Sequence, residues 1–238
     1  MKIVAGFHIR DDAWILHRKL RSLAFCDHVV VLSDRAPGDV LSICAEYPNV
    51  VVHQHTNTLG LPDLGPDGPL CEEGIMRQKT WDLMAEYHPD WVLLGDADET
   101  ITPDIIPFLA DGPTGNVYYL DWVNLFKDKW HQIVGPHCIW SYEHKGSNKK
   151  GAIIRFSAAA GGYNLGKYRH TRLEPNPISQ KKHIEDDKHR WIQAPKLLHW
   201  KFTNWPRWDA TLQSKTDKYV LYWRGIVLED TPEEWLWE

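Results

Sequence analysis

Three short runs in the first hundred residues constrain the fold more than anything else in the chain. "HVVVLS" (His28–Ser33), "NVVVHQH" (Asn49–His55) and "DWVLLGD" (Asp90–Asp96) each carry three or four consecutive apolar residues. A strand with one face in water alternates apolar and polar positions, so an unbroken β-branched run suits a strand covered on both faces, as in a parallel sheet. "KIVAGF" (Lys2–Phe7) adds a fourth run ahead of them. Helical patterns fill the gaps. Asp11 or Asp12 can cap a helix whose apolar positions include Leu16, Leu20 and Leu23. "RAPGDVLSICAEYP" (Arg35–Pro48) reads as a turn and a short helix that ends near Pro48. Met76, Thr80, Leu83, Met84 and Tyr87 mark one face of a third helix. Strands alternating with helices predict a parallel, doubly wound sheet. The chain's 238 residues suit one such domain.

The rest of the chain changes character. "NVYYLDWVNLF" (Asn116–Phe126), "GAIIRFSA" (Gly151–Ala158) and "KLLHWKF" (Lys196–Phe202) predict strands or extended segments. Arg169–Arg190 is polar and irregular, and Trp208, Leu212, Lys215, Tyr219 and Tyr222 fit a helix entered at Pro206. The Gly/Pro-rich stretch Asn57–Leu70 is long for a structureless connection, a length common in functional loops such as lids.

Bulk properties narrow the function. The formal net charge is −5 with both signs dispersed, which disfavours a general polyanion binder. The four cysteines, Cys26, Cys44, Cys71 and Cys138, form no C-x-x-C pair and predict buried thiols of a reducing compartment. No signal-peptide core and no membrane-length apolar run is present, so the expected location is the cytoplasm, of a bacterium or of a phage-infected cell. Thirteen Trp mildly favour a carbohydrate or nucleoside ligand, since such rings stack on sugars and bases.

"LLGDADET" (Leu93–Thr100) carries the chemistry. Asp96, Asp98 and Glu99 crowd into four positions, and charges so close repel unless something compensates them. Ligands of open α/β sheets lie beyond the carboxyl ends of the strands, which is where this cluster falls. Three readings fit. The D-x-D can hold a hard divalent cation and the phosphates of a nucleotide in a sugar transferase. It can serve a phosphatase of the haloacid-dehalogenase type, with Asp96 as nucleophile and Asp98 as acid/base. It can also be a strand end with solvated acids, as in a non-catalytic carbohydrate-binding protein. The phosphatase motif ends the first strand of its domain, not the fourth. It also needs a later acidic pair after an apolar strand, which "HIEDDKHR" (His183–Arg190) lacks. The transferase is therefore preferred.

The residues from Arg77 to Glu99, "RQKTWDLMAEYHPDWVLLGDADE", resemble GT-A-fold glycosyltransferases, particularly family-2-like enzymes with a D-A-D-E acid motif. "RDDAWILHRKLRSL" (Arg10–Leu23) and "DHVVVLSD" (Asp27–Asp34) resemble that family's opening helix and second strand. "IIRF" (Ile153–Phe156), "YRHTRL" (Tyr168–Leu173), "LLHWKF" (Leu197–Phe202) and "KTDKY" (Lys215–Tyr219) resemble its later blocks, in order. The resemblance implies a GT-A-like α/β fold: a Rossmann-like, mostly parallel central sheet flanked by helices, with a smaller mixed acceptor-side region. It implies a single domain over residues 1–238, with residues 1–100 binding the nucleotide sugar and residues 101–238 the acceptor.

The roles it implies are specific. Asp98 ligates Mn²⁺ or Mg²⁺, His199 completes the coordination or touches the diphosphate, and Asp96 contacts the ribose or the metal's water shell. Asp34 binds the base, while Arg77 and Lys215 approach the phosphates. Glu99 supports the acid loop through a salt bridge. The activity implied is hexosyl transfer from a nucleoside-diphosphate sugar, UDP-linked by analogy, to a hydroxyl of a glycan, a lipid-linked glycan or a small molecule. A modified DNA base is conceivable as acceptor, but the overall acidity disfavours it. One departure stands out: where inverting relatives carry His-Glu, this chain has His170 followed by Thr171. Asp121, Glu143 and Glu174 are then the candidate bases, or the enzyme is retaining.

Overall fold

Burial on both faces is what the apolar runs demanded, and two of the three satisfy it; the third, Val50–Gln54 at the end of the strand order, is only partly buried. The computed structural model describes residues 1–54, 73–126, 130–132, 149–158, 189–202 and 228–237. Val29, Val30, Val31 and Leu32 of β2 (His28–Ser33) are all buried, as are the four residues of β4 (Trp91–Leu94). β1 (Ile3–Ile9) lies between them, parallel to both. β3 (Val50–Gln54) extends the sheet parallel to β2. The helices α1 (Ala13–Arg21), α2 (Gly38–Ala45) and α3 (Glu73–Ala85) make the connections. These elements fall within one compact unit, Met1–Ala97 with residues 114–119 and 151–190. There β8 (Lys149–Arg155) lies beside β4 and antiparallel to it. The order β8-β4-β1-β2-β3 is a doubly wound sheet with one antiparallel strand.

The direction of winding reverses at β1. The chain runs outward from β1 to β2 and β3, then returns to β4 on the opposite side of β1. That reversal opens a crevice beyond the carboxyl ends of β1 and β4, the ligand position of such sheets. α3 is pressed tightly on the sheet. A Cβ placed on Gly6 of β1 would lie 2.3 Å from Met84 Sδ and 2.9 Å from Thr80 Cγ2, so only glycine admits the helix at this depth. Val4, Val30, Met76, Met84 and Val92 form the core between them.

One predicted cap works differently. Asp12 precedes α1 and its carbonyl accepts the Ile15 and Leu16 N–H groups, but its side chain makes no cap bond. Its Oδ2 instead accepts the Arg10 N–H at 3.2 Å, tying down the chain that leaves β1.

The second compact unit comprises residues 98–113, 120–150 and 191–238. β5 (Glu99–Ile101) pairs antiparallel with β9 (His189–Phe202), and β9 also pairs with β6 (Val117–Phe126). β7 (Trp130–Gln132) lies between β6 and β10 (Leu228–Asp230), antiparallel to both. α4 (Ile105–Ala110) was not apparent in the sequence because Pro107 falls inside it. Pro107 is its third residue, where the missing N–H would have had no intrahelical partner anyway. Gly112, at φ 68°, ends the helix in the left-handed region. The stretch predicted as strand Gly151–Ala158 gives β8 and then a 3-10 turn, Phe156–Ala158. The predicted helix over Trp208–Tyr222 and the Asn57–Leu70 loop lie outside the described residues. Among the described residues no helix is long and apolar enough to cross a membrane.

Candidate active site

β4 ends at Leu94, two residues before the acids; Asp96 lies in irregular chain and Ala97–Asp98 form a turn, so neither acid is in the strand. Strand alternation therefore does not set the directions of the two carboxylates. Each has its own partner, and each is described within its own unit.

In the first unit, Arg77 of α3 donates from Nη2 to Asp96 Oδ1 at 2.7 Å. The guanidinium is nearly buried (8% exposed) and the carboxylate is 33% exposed. A close, charge-assisted bond of this kind cancels much of the repulsion in the acid cluster. α3 sets it up locally: Met76 and Thr80 face the core, and Arg77 sits beside them on the buried edge.

A second charged group stands at the end of β2. The Asp34 carboxylate, 4% exposed, accepts from Arg35 Nε at 2.9 Å and lies 3.8 Å from Arg10 Nη1. Arg35 has φ 58°, a left-handed conformation that is costly for a side chain of this size. The Asp34 N–H donates to the Ile9 carbonyl at 2.8 Å, fixing the ends of β1 and β2 together. Arg10 and Arg35 were not singled out from sequence, although both directly follow strands, β1 and β2, whose carboxyl ends are the ligand-binding edge of such a sheet.

In the second unit, Asp98 Oδ2 lies 3.6 Å from His199 Nε2. That is too long for a hydrogen bond. It suits two ligands of one ion, which at adjacent positions around a hard cation lie about 3 Å apart or a little more. His199 is buried in β9, and the Trp122 ring of β6 lies against it with centroids 4.6 Å apart. Among the described residues no group of three His, Cys, Asp or Glu side chains converges on a metal position. A single carboxylate such as Asp98 is a usual protein donor for Mg²⁺, whose other positions go to water and phosphate oxygens.

Glu99 is fully buried. It begins β5 directly opposite His199. A carboxylate at this depth supports the structure from inside and is not a solvated strand end.

Asp121 stands apart from His199. Side chains alternate across a strand, so Trp122 and Asp121 point to opposite faces of β6. Trp122 meets His199, whereas Asp121 Oδ2 lies 3.7 Å from Lys196 Nζ. Lys196 shares its face of β9 with Trp200, whose Nε1–H donates to Thr100 Oγ1 at 2.8 Å. Glu143, Glu174, Lys215 and the His170–Thr171 step lie outside the described residues. Cys26 and Cys44 are buried thiols, and burial pushes both up, Cys44 to about 11, so neither is poised as a nucleophile.

No family model matches the chain. Two uncharacterized proteins, of Mycobacterium bovis and Mycobacterium tuberculosis, are each 33% identical to it over 107 residues, which is 44% of this chain and 25% of theirs. The match thus spans about a quarter of those relatives' length. Among solved structures, Staphylococcus aureus TarS 1–349 in complex with UDP superposes with a TM-score of 0.53 at 15% identity, covering 84% of this chain and 60% of that one. A putative glucose-1-phosphate thymidylyltransferase from Bacillus anthracis superposes with a TM-score of 0.51 at 9% identity, covering 90% and 96%. The fold is GT-A-like. The phosphatase reading required its acid motif on a first strand, and in this GT-A-like sheet the motif follows the fourth.

Proposed function

We propose that the chain is a metal-dependent glycosyltransferase that moves a sugar from a nucleoside-diphosphate donor, UDP-linked, to a hydroxyl acceptor. The observation that carries this reading is the 3.6 Å spacing of Asp98 Oδ2 and His199 Nε2 in a GT-A-like fold. Asp98 and His199 would hold Mn²⁺ or Mg²⁺. When bound, the cation neutralises the charge that develops on the departing diphosphate. The crevice beyond β1 and β4 would take the nucleotide. Asp96, its direction set by Arg77, would accept from the ribose hydroxyls. Asp34, clamped by Arg35, would shape the base-binding end, and Lys215 would approach the phosphates. The base that deprotonates the acceptor is not assigned to Asp121, which faces Lys196. Glu143, Glu174 or the leaving phosphate itself remain for that step. A glycan, a lipid-linked glycan or a small hydroxyl compound fits the acceptor role, and the cytoplasm fits a soluble nucleotide-sugar donor.

A second reading is a nucleotidyltransferase, which joins a sugar phosphate to a nucleoside triphosphate and releases pyrophosphate. It is favoured by the near-complete coverage of the thymidylyltransferase and of 4-diphosphocytidyl-2C-methyl-D-erythritol synthase from Anaerococcus prevotii (TM-score 0.50, 9% identity, 89% and 96% covered). Thermal shift with UDP, dTDP and CTP, with and without Mn²⁺, separates the readings. A shift with UDP that requires Mn²⁺, followed by UDP release from UDP-sugars, supports the transferase. Pyrophosphate release from a triphosphate and a sugar phosphate replaces it with the nucleotidyltransferase. No shift with any nucleotide leaves a carbohydrate-binding protein.

A further inference from the structure

Within the second unit an aromatic ring stands beside the Asp98–His199 pair. The Trp122 indole lies against the His199 imidazole, with ring centroids 4.6 Å apart and planes tilted by 34°. Asp98 Oδ2 approaches the same imidazole at Nε2, 3.6 Å away. One imidazole thus has an indole and a carboxylate as immediate neighbours. The three differ in exposure. His199 is buried, whereas the Asp98 side chain is 23% exposed and Trp122 is only partly buried. The indole and the carboxylate both keep surface that a ligand can touch, while the imidazole they share is almost closed off. Strand alternation agrees. Leu120, two residues back on the same face of β6, is fully buried, so this face passes from core to surface at Trp122.

An indole offers a broad apolar face and has only two side-chain torsions to immobilise, so contact with it costs little conformational entropy. A hexopyranose matches such a face. One side of its ring is made of C–H groups, and its hydroxyls project around the rim. In a nucleotide sugar the hexose is joined through a single oxygen to the diphosphate, the group a cation on Asp98 would take. The ribose at the other end is assigned above to Asp96 in the first unit, which leaves the hexose for the second. We propose that Trp122 is a sugar-contacting residue: the accessible part of its indole packs against the hexose of the donor. This role rests on the nucleotide-sugar function proposed above. The indole makes and breaks no bond; it supplies contact area beside the reacting phosphate.

The test uses UDP as an internal reference, because it has the diphosphate and the base but no hexose. The full chain is titrated by calorimetry with Mn²⁺ alone, and then, with Mn²⁺ present, with UDP, UDP-glucose, UDP-galactose and UDP-N-acetylglucosamine. In Trp122→Leu the affinity for the UDP-sugar that wild type binds best should fall about tenfold, and in Trp122→Phe by less, since part of the aromatic face remains. UDP and Mn²⁺ affinities should stay within about twofold of wild type. Equal losses for UDP and UDP-sugar would make the indole a mere support of His199 and overturn the proposal. So would an unchanged UDP-sugar affinity in a folded Trp122→Leu. If neither variant folds, the wild type decides: saturating its aromatic protons should transfer magnetisation to the hexose protons of the bound UDP-sugar, and no transfer would overturn the contact. Wild type that binds UDP but none of the UDP-sugars would end the sugar contact alone. Wild type that binds no nucleotide would end the function with it.

Discussion

Asp96 and Asp98 stand two positions apart and meet opposite partners. Asp96 is bonded to a resident cation, the guanidinium of Arg77, at 2.7 Å. Asp98 faces a histidine nitrogen at 3.6 Å, beyond hydrogen-bond reach. A repeated acid in a motif is thus two different groups. One is compensated from within the fold and fixed in direction. The other lies beside an imidazole without a bond to it, and is the one proposed above to take part in holding a cation.

The contrast can be broken by substitution. The largest effect is expected at Asp98. Asp98→Ala should remove Mn²⁺-dependent nucleotide binding and lower turnover by about 100-fold or more, with its thermal transition unchanged. Wild-type turnover in that variant would end the metal assignment. Arg77→Met should do the reverse. It leaves Asp96 without its guanidinium partner, and stability should drop by about 1–3 kcal/mol in urea denaturation. Mn²⁺ affinity in Arg77→Met should stay near wild type, and a large loss would merge the two acids into one site. Asp121→Asn should change turnover by no more than about twofold, as expected of a partly exposed ion pair on the opposite face. A hundred-fold loss there would restore Asp121 as the base. The smallest effect is a control on the first unit's core. Burial raises the Cys44 thiol from 9.0 to about 11, so the neutral form is the one the fold favours. Its contribution is complete below about pH 9 and is lost as pH rises toward about 11. A stability curve that falls over that window, and flattens in Cys44→Ala, would confirm the sign; the acids would not produce it.

The two units differ in how far they could be foreseen, for the same physical reason. In β2 and β4 the signal for burial is carried by the strand's own residues, so "HVVVLS" predicts its element to the residue and "DWVLLGD" brackets its own, overrunning it by two residues into the acids. β5 has three residues and no period to detect, and it forms because β9 offers an edge. The acid motif was legible as a site through its position after an apolar strand. Its internal geometry was not, because β4 stops early and leaves Asp96 in irregular chain and Asp98 in a turn. His199 was reached only through a family resemblance. Trp122 carried no signal at all among thirteen tryptophans.

By itself, the sequence determined a doubly wound α/β sheet and an acid cluster at its ligand-binding edge. Both follow from the hydrophobic pattern of contiguous residues. Which cation or base each acid meets was decided only by tertiary structure. Arg77 reaches Asp96 because α3 is pressed onto β1 at Gly6, and His199 comes beside Asp98 through strand register. Register and helix depth arise from contacts between residues far apart in the chain, and a one-residue slip in β9 would turn His199 to the other face.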